Sequence, residues 1–239
     1  MQTVQQGVLT PARLPRPSST SAPEFHAISI PRRTYTGDFW FARTTGATLW
    51  FALGDVAGKG AQSAVWMAMI QEELEAIFSD GPAEGLAPCA VIGRIDAVLR
   101  EELPPNRFAT LLVGRLDGGG ELTVANAGHC PLLVVRDGGT VERLEANGPA
   151  VGILPNRDWG AHRTRLLPGE LLVAFSDGVA EARVEGDAEL GIDRIAELVA
   201  RRRGEHPRDA ARQLAGYVRR ITADDDVTVF AARLVHDRG

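Results

Sequence analysis

Aspartate is the residue type whose placement could do chemistry. Asp38 follows Gly37 in TGDFWF (36–41), and Asp55 comes just after the apolar run Leu49-Trp50-Phe51-Ala52-Leu53, in GDVAGKG (54–60). Asp177 stands just after a second apolar run, in SDG, and Asp224, Asp225 and Asp226 precede a last one. Strand ends that adjoin glycine or a short loop bring segments distant in sequence onto one sheet edge, where side chains converge. Carboxylates gathered in this way repel one another unless a cation sits among them. Aspartates with few histidine or cysteine partners suit a hard ion, Mn²⁺ or Mg²⁺, better than zinc. Two such ions about 3.5–4 Å apart activate water near neutral pH and clamp a phosphoryl group. Each motif alone also reads as an ordinary Asp-Gly turn or a solvated loop, so the weight lies in the combination.

Other chemistry-bearing residues carry less. Lys59 after Gly58 suggests a phosphate-cradling P-loop, but that motif needs a glycine where Leu53 stands and Ser or Thr where Gly60 stands. Nucleotide binding through it is therefore rejected, and the glycines read as places where backbone approaches an ion and starts a helix. His129 in NAGH either protonates a leaving oxygen or ties loops together by hydrogen bonds, and the second role is favoured. Cys130 beside it reads as a buried small residue. Arg32 and Arg33 either bind substrate phosphate or stand as an exposed pair at a strand edge. Arg201, Arg202 and Arg203 near a helix C-terminus complement its dipole.

The elements that must position these residues follow from periodicity. Residues 1–23 are rich in Pro, Ser, Thr and Gln and read as a mobile tail or linker remnant, leaving 24–239 as one catalytic domain. Strands are expected at 25–30, 35–42 and 48–53, the last apolar throughout, as when a strand is covered on both faces. Apolar positions three and four apart place helices at 61–78 and 88–103, with the breaker Asp80-Gly81-Pro82 between them. Strands return at 108–116, 121–126, 131–136, 140–145 and 170–176, with Gly-rich hairpin turns at 117–120 and 137–139. Two more helices, near 191–203 and 208–221, precede a strand at 227–235. Strands in meander order with helices in pairs give an α+β fold, antiparallel sheets flanked by paired helices.

Composition sets the outer bounds. The 239 residues are 44% hydrophobic and 24% charged, ordinary for a folded domain. A net charge of −5 argues against nucleic-acid or anionic-membrane partners. No apolar run reaches the roughly 18 residues of a membrane span. Two cysteines, Cys89 and Cys130, are too few for a disulfide framework or a thiolate zinc cage, and no signal peptide is legible, which points to the cytoplasm.

Seven blocks occur in order: TGDFWF, GDVAGKG, RFATLLVGRLD (107–117), NAGHCPLLV (126–134), AVGI (150–153), LPGELLVAFSDGVAEA (167–182) and DDVTVF (225–230). Over residues 24–235 the chain resembles the PPM metal-dependent protein phosphatases, in their bacterial sporulation-protein-E, sigma-regulator branch. The resemblance implies a four-layer α-β-β-α sandwich and hydrolysis of phosphoserine or phosphothreonine by water activated by two Mn²⁺ or Mg²⁺ ions. It implies a phosphorylated anti-sigma-factor antagonist as substrate, and leaves oligomeric state open. Asp55 would bridge the two ions, the Val56 carbonyl would serve one, and Asp177 with Asp225 would complete the other. Asp38 would hold an ion or its water, and Asp226 is the register neighbour of Asp225. Thr36 and Phe41 depart from the family pattern, which often has Gly and a second Asp there. The rival readings are an inactive scaffold of the same fold that binds a phosphoprotein, and a phosphatase acting on a small molecule.

Overall fold

A computed structural model describes residues 22–235, apart from 33–35, 59, 80–84, 103, 105–106, 155–156, 185–186 and 222–224. Arg33, Lys59 and Asp224 therefore lie outside the described residues. Two five-stranded antiparallel sheets stack face to face. One has the order β1 (Ala22–Ile30), β10 (Val227–Val235), β9 (Leu171–Phe175), β6 (Leu132–Val135), β7 (Val141–Leu144). The other runs β2 (Phe39–Thr45), β3 (Thr48–Val56), β4 (Ala109–Leu116), β5 (Glu121–Ala127), β8 (His162–Arg165). Helices α1 (Ala61–Phe78) and α2 (Pro88–Glu102) cover the second sheet. Helices α4 (Gly191–Ala200) and α5 (Pro207–Val218) cover the first, and the short α3 (Asp177–Ala180) follows β9. The expected four-layer α-β-β-α sandwich is what forms.

Three apolar layers hold these four together. β3 shows why its sequence is apolar at every position: Trp50 and Ala52 pack toward α1 and α2, whereas Leu49, Phe51 and Leu53 pack between the sheets. Side chains alternate faces along a strand, so a strand inside two layers has no polar side to show. Between the sheets the Phe51 ring stacks on Phe230 of β10 at 5.0 Å, and Phe25 of β1 stacks on the same ring at 5.7 Å. On α1 the buried positions Trp66, Ile70, Leu74, Ile77 and Phe78 keep the three- and four-residue steps of one helix face.

Several boundaries differ from expectation for physical reasons. β1 begins at Ala22, pairing it with Val235, two residues inside the stretch expected as tail. β2 starts at Phe39 and runs on through Thr45, so Asp38 precedes the strand where the sequence reading had put it inside. α4 stops at Ala200, and Arg201–Arg203 lie in turns. β8 carries no apolar alternation; polar contacts hold it, with the Arg136 guanidinium donating to Thr164 Oγ1 and the Arg165 carbonyl, each at 2.6 Å. The same guanidinium reaches the buried Glu170 carboxylate at 2.8 Å.

The inter-sheet stack predicts its own test. Phe51→Ala should cost about 3–5 kcal/mol, the range for emptying a buried aromatic site. Equilibrium urea unfolding measures this, and a loss below about 1 kcal/mol would show that the two sheets do not depend on that layer.

Candidate metal centre

The site forms where both sheets end on the same side of the sandwich. Phe39 of β2 pairs with Gly54 of β3, so Asp38 and Asp55 are the next residues out along two hydrogen-bonded strands. From the other sheet, Phe175 of β9 pairs with Val229 of β10, and beyond that pair lie Asp177 on one chain segment and Asp225 with Asp226 on the other. Gly178 permits the last approach: a Cβ there would stand 2.0 Å from the Asp226 carbonyl oxygen.

Asp38, Asp55 and Asp177 each present a carboxylate oxygen within 4.8 Å of the others. Asp38 is buried and the other two are half-buried. Burial drives the Asp38 carboxyl up to about 8, with repulsion from Asp55 and Asp177 adding to it and hydrogen bonds from Ser176 and Thr228 opposing it. Burial pushes Asp55 to about 7, reinforced by Asp177, Asp225 and Asp226. Asp177 is raised as well, by burial first and by Asp225 next. Three carboxylates this close, all reluctant to ionise, describe a site that wants a cation.

The surroundings fit a divalent ion. An ideal Cβ built on Gly37 would lie 2.5 Å from Asp55 Oδ1 and 2.8 Å from the Val56 carbonyl oxygen. A side-chain oxygen and a main-chain oxygen therefore face one small space that only glycine leaves open. All donors are oxygen, the choice of hard ions. The loop behind Val56 turns through Gly58 (φ 129°) and Gly60 (φ 92°), conformations that favour glycine, and delivers the chain into α1.

The two sheets are pinned together at this point. Thr228 Oγ1 donates to Asp38 Oδ2 at 2.8 Å, carrying a hydrogen bond from β10 to the residue just before β2. Ser176 Oγ in turn accepts from the Thr228 N–H at 2.9 Å and donates to the Asp226 carbonyl at 3.2 Å. Sequence reasoning assigned no role to Gly37, Ser176 or Thr228, although the SDG and DDVTVF blocks contain two of them.

Asp225 is exposed and lies outside the group of three, while still adding negative potential at Asp55 and Asp177. Its Oδ1 accepts the Asp226 N–H at 2.9 Å. Asp226 is buried, and its Oδ1 accepts the backbone N–H of Arg32. His129 is buried behind the site: Nδ1 shares a 2.8 Å hydrogen bond with Thr110 Oγ1, and Thr110 is the β4 partner of Asp55. Burial lowers the imidazole to about 4, so it is neutral at pH 7; the backbone N–H of His129 donates to Asn126 Oδ1, while Asn126 Nδ2 donates to the His129 and Cys130 carbonyls. Burial and then Asp177 raise the Cys130 thiol to about 12, which keeps it protonated.

Residues 45–235 match the family model described as Stage II sporulation protein E (SpoIIE). The chain belongs to that family. This SpoIIE-family chain has the PPM, or PP2C, phosphatase fold. It is 30% identical over 161 residues to the phosphoserine phosphatase RsbU of Bacillus subtilis, covering 66% of this chain and 47% of RsbU. It spans less than half the length of the curated relatives it matches. The SiaA PP2C domain of Pseudomonas aeruginosa superposes with a TM-score of 0.77 at 20% identity, covering 87% of this chain and 85% of that domain. The catalytic domain of the serine/threonine phosphatase PstP, solved with two manganese ions, gives 0.69 at 19% identity, covering 90% and 100%.

Raised carboxyl pKa values fix a sign for the metal-free chain. An aspartate titrating at about 8 when folded, against 3.8 ordinarily, favours the folded state most below its ordinary pKa and loses that contribution as pH rises through 8. The stability of wild type relative to Asp38→Asn should therefore be greatest at low pH and decline up to pH 8, measured by thermal unfolding with chelator. A constant or rising difference would contradict the arrangement. Gly37→Ala should weaken Mn²⁺ binding by about ten-fold or more, read by titration calorimetry, and unchanged affinity would remove Val56 and Asp55 from a shared ion site.

Proposed function

We propose that this chain is a Mn²⁺- or Mg²⁺-dependent protein phosphatase, hydrolysing phosphoserine or phosphothreonine on a protein substrate in the cytoplasm. The observation that carries the reading is the meeting of Asp38, Asp55 and Asp177 within 4.8 Å at the joined ends of two sheets. Membership of the SpoIIE family and likeness to the phosphoserine phosphatase RsbU support it. The two manganese ions of PstP support a pair of ions here. The substrate we assign is a phosphorylated anti-sigma-factor antagonist, in a partner-switching pathway.

Asp55 would stand between the two ions, with the Val56 carbonyl on one and Asp177 and Asp225 on the other. Each of Asp225 and Asp226 accepts one backbone N–H through Oδ1; Asp225 is preferred because it is exposed and acts on Asp177 more strongly, whereas Asp226 is buried. Once bound, the ions supply Lewis acidity that activates water and offsets phosphoryl charge. The chain's own part is to hold its oxygens in place. Thr228 keeps Oδ2 of the Asp38 carboxylate turned toward β10. Neutral His129 fixes Thr110 and the 126–130 turn, and at pH 7 carries no imidazolium proton to deliver. No protein nucleophile is required, and the protonated Cys130 thiol is not one.

Activity should appear with Mn²⁺ on p-nitrophenyl phosphate and on a phosphoserine protein, vanish with chelator, and fall to background in Asp55→Asn. Thr228→Val removes the hydrogen bonds of Thr228 Oγ1 to Asp38 and Ser29 and should lower kcat/KM by about ten- to a hundred-fold. Wild type that folds and binds Mn²⁺ but turns over no phosphoester would establish the inactive scaffold instead.

A further inference from the structure

A second feature lies on the outer helical layer over the other sheet. Residues 191–221 hold eight arginines against four carboxylates, an excess of four positive charges in a chain whose net charge is −5. Within that stretch α4 and α5 leave a cleft of about 350 Å³ between them. Its size falls in the range of small-molecule sites, which run from roughly 300 to 1,000 Å³.

The lining has two chemistries. Leu198, Val199, Leu214 and Tyr217 supply apolar surface continuous with the core beneath the helices. Arg202, Arg212 and Arg220 supply charge. Glu205 engages Arg202 at 3.4 Å and Gln213 at 3.0 Å. Arg212 and Arg220 have no ion-pair partner among the described residues. Their field is felt nearby: the His26 imidazole on β1 is held below its ordinary value by burial and then by Arg212 and Arg208.

Gly216 makes the cleft. Arg212 and Gly216 are four residues apart on one stripe of α5, and Arg220 follows in the turn just past its C-terminus. A Cβ added at Gly216 would meet nothing within 4 Å. Glycine is a poor helix former, and no crowding requires it here. What its missing side chain provides is open space in the wall of the cleft.

We propose that this cleft binds a small organic phosphate of mononucleotide size, with its ring over Gly216 against the apolar floor and its phosphate between Arg212 and Arg220. Two guanidinium groups match the two negative charges of a phosphomonoester, and their planar forks suit phosphate oxygens. The apolar part of the lining, Leu198, Val199, Leu214 and Tyr217, favours a ligand with a ring over a bare anion. The chain's own residues 1–21 cannot supply the charge, since they contain Arg13 and Arg16 and no carboxylate side chain. The inference is independent of the acidic site and stands or falls without it.

The test is amide NMR on the full chain, with chelator present so that the aspartates hold no phosphate through a metal. AMP should shift the Gly216 and Tyr217 signals, and its two halves, adenosine and inorganic phosphate, should each bind at least about ten-fold more weakly. Gly216→Leu should fill the cleft and abolish the shifts, whereas Gly216→Ala should raise Tm and retain them. Arg212→Ala combined with Arg220→Ala should also abolish them, and decides the matter if Gly216→Leu does not fold. Three results would overturn the proposal. One is the absence of shifts with AMP, GMP, CMP and UMP at about 10 mM. The second is inorganic phosphate binding as tightly as AMP, and the third is undiminished binding in a folded Gly216→Leu.

Discussion

Three carboxylates from three separate segments are held within 4.8 Å, largely out of water, and nothing about that arrangement is favourable in itself. Burial and mutual repulsion both raise their pKa values, and the hydrogen bonds from Ser176 and Thr228 offset only part of that. The fold has to impose the juxtaposition from outside. It does so through the apolar layer between the sheets, where Phe25, Phe51 and Phe230 stack, and through strand pairings that run up to the site from each side. A bound cation reverses the balance, turning repulsion among aspartates into attraction to a shared centre.

Other features near the site follow from that constraint. Glycine at 37 keeps two oxygens facing one space, and glycine at 178 lets the Asp177 and Asp225 segments touch. Thr228 ties the Asp38 carboxylate of one sheet to a strand of the other, so the spacing of the ligands depends on how the sheets stack. His129, made neutral by burial, adds no positive charge that would compete with an ion. The helices serve the same end at a distance: α1 begins directly after the glycine loop that presents Val56, and its buried face anchors that loop to the core.

Much of this was legible in the sequence where a single strong signal sets the outcome. The all-apolar run 49–53 reads as a strand covered on both faces, which places Asp55 just after it. The steps of Trp66, Ile70 and Leu74 fixed α1 in the same way. What escaped was whatever depends on contacts between distant polar groups. β8, His162–Arg165, is half-exposed and is held by Arg136, not by an apolar pattern. The four-residue α3 is too short for periodicity to register. The Thr228–Asp38 hydrogen bond spans 190 residues, and no local spacing announces it. The adjacency of Asp225 and Asp226 leaves their register open in the sequence, and only the folded backbone shows that Asp226 turns toward Arg32.

The decisive measurement is anomalous diffraction at the manganese edge from crystals of the full chain grown with Mn²⁺. The account predicts anomalous peaks among Asp38, Asp55 and Asp177, with the Val56 carbonyl in contact with one of them. Manganese bound only elsewhere on the molecule, or none at this site when Mn²⁺ is saturating, would contradict it.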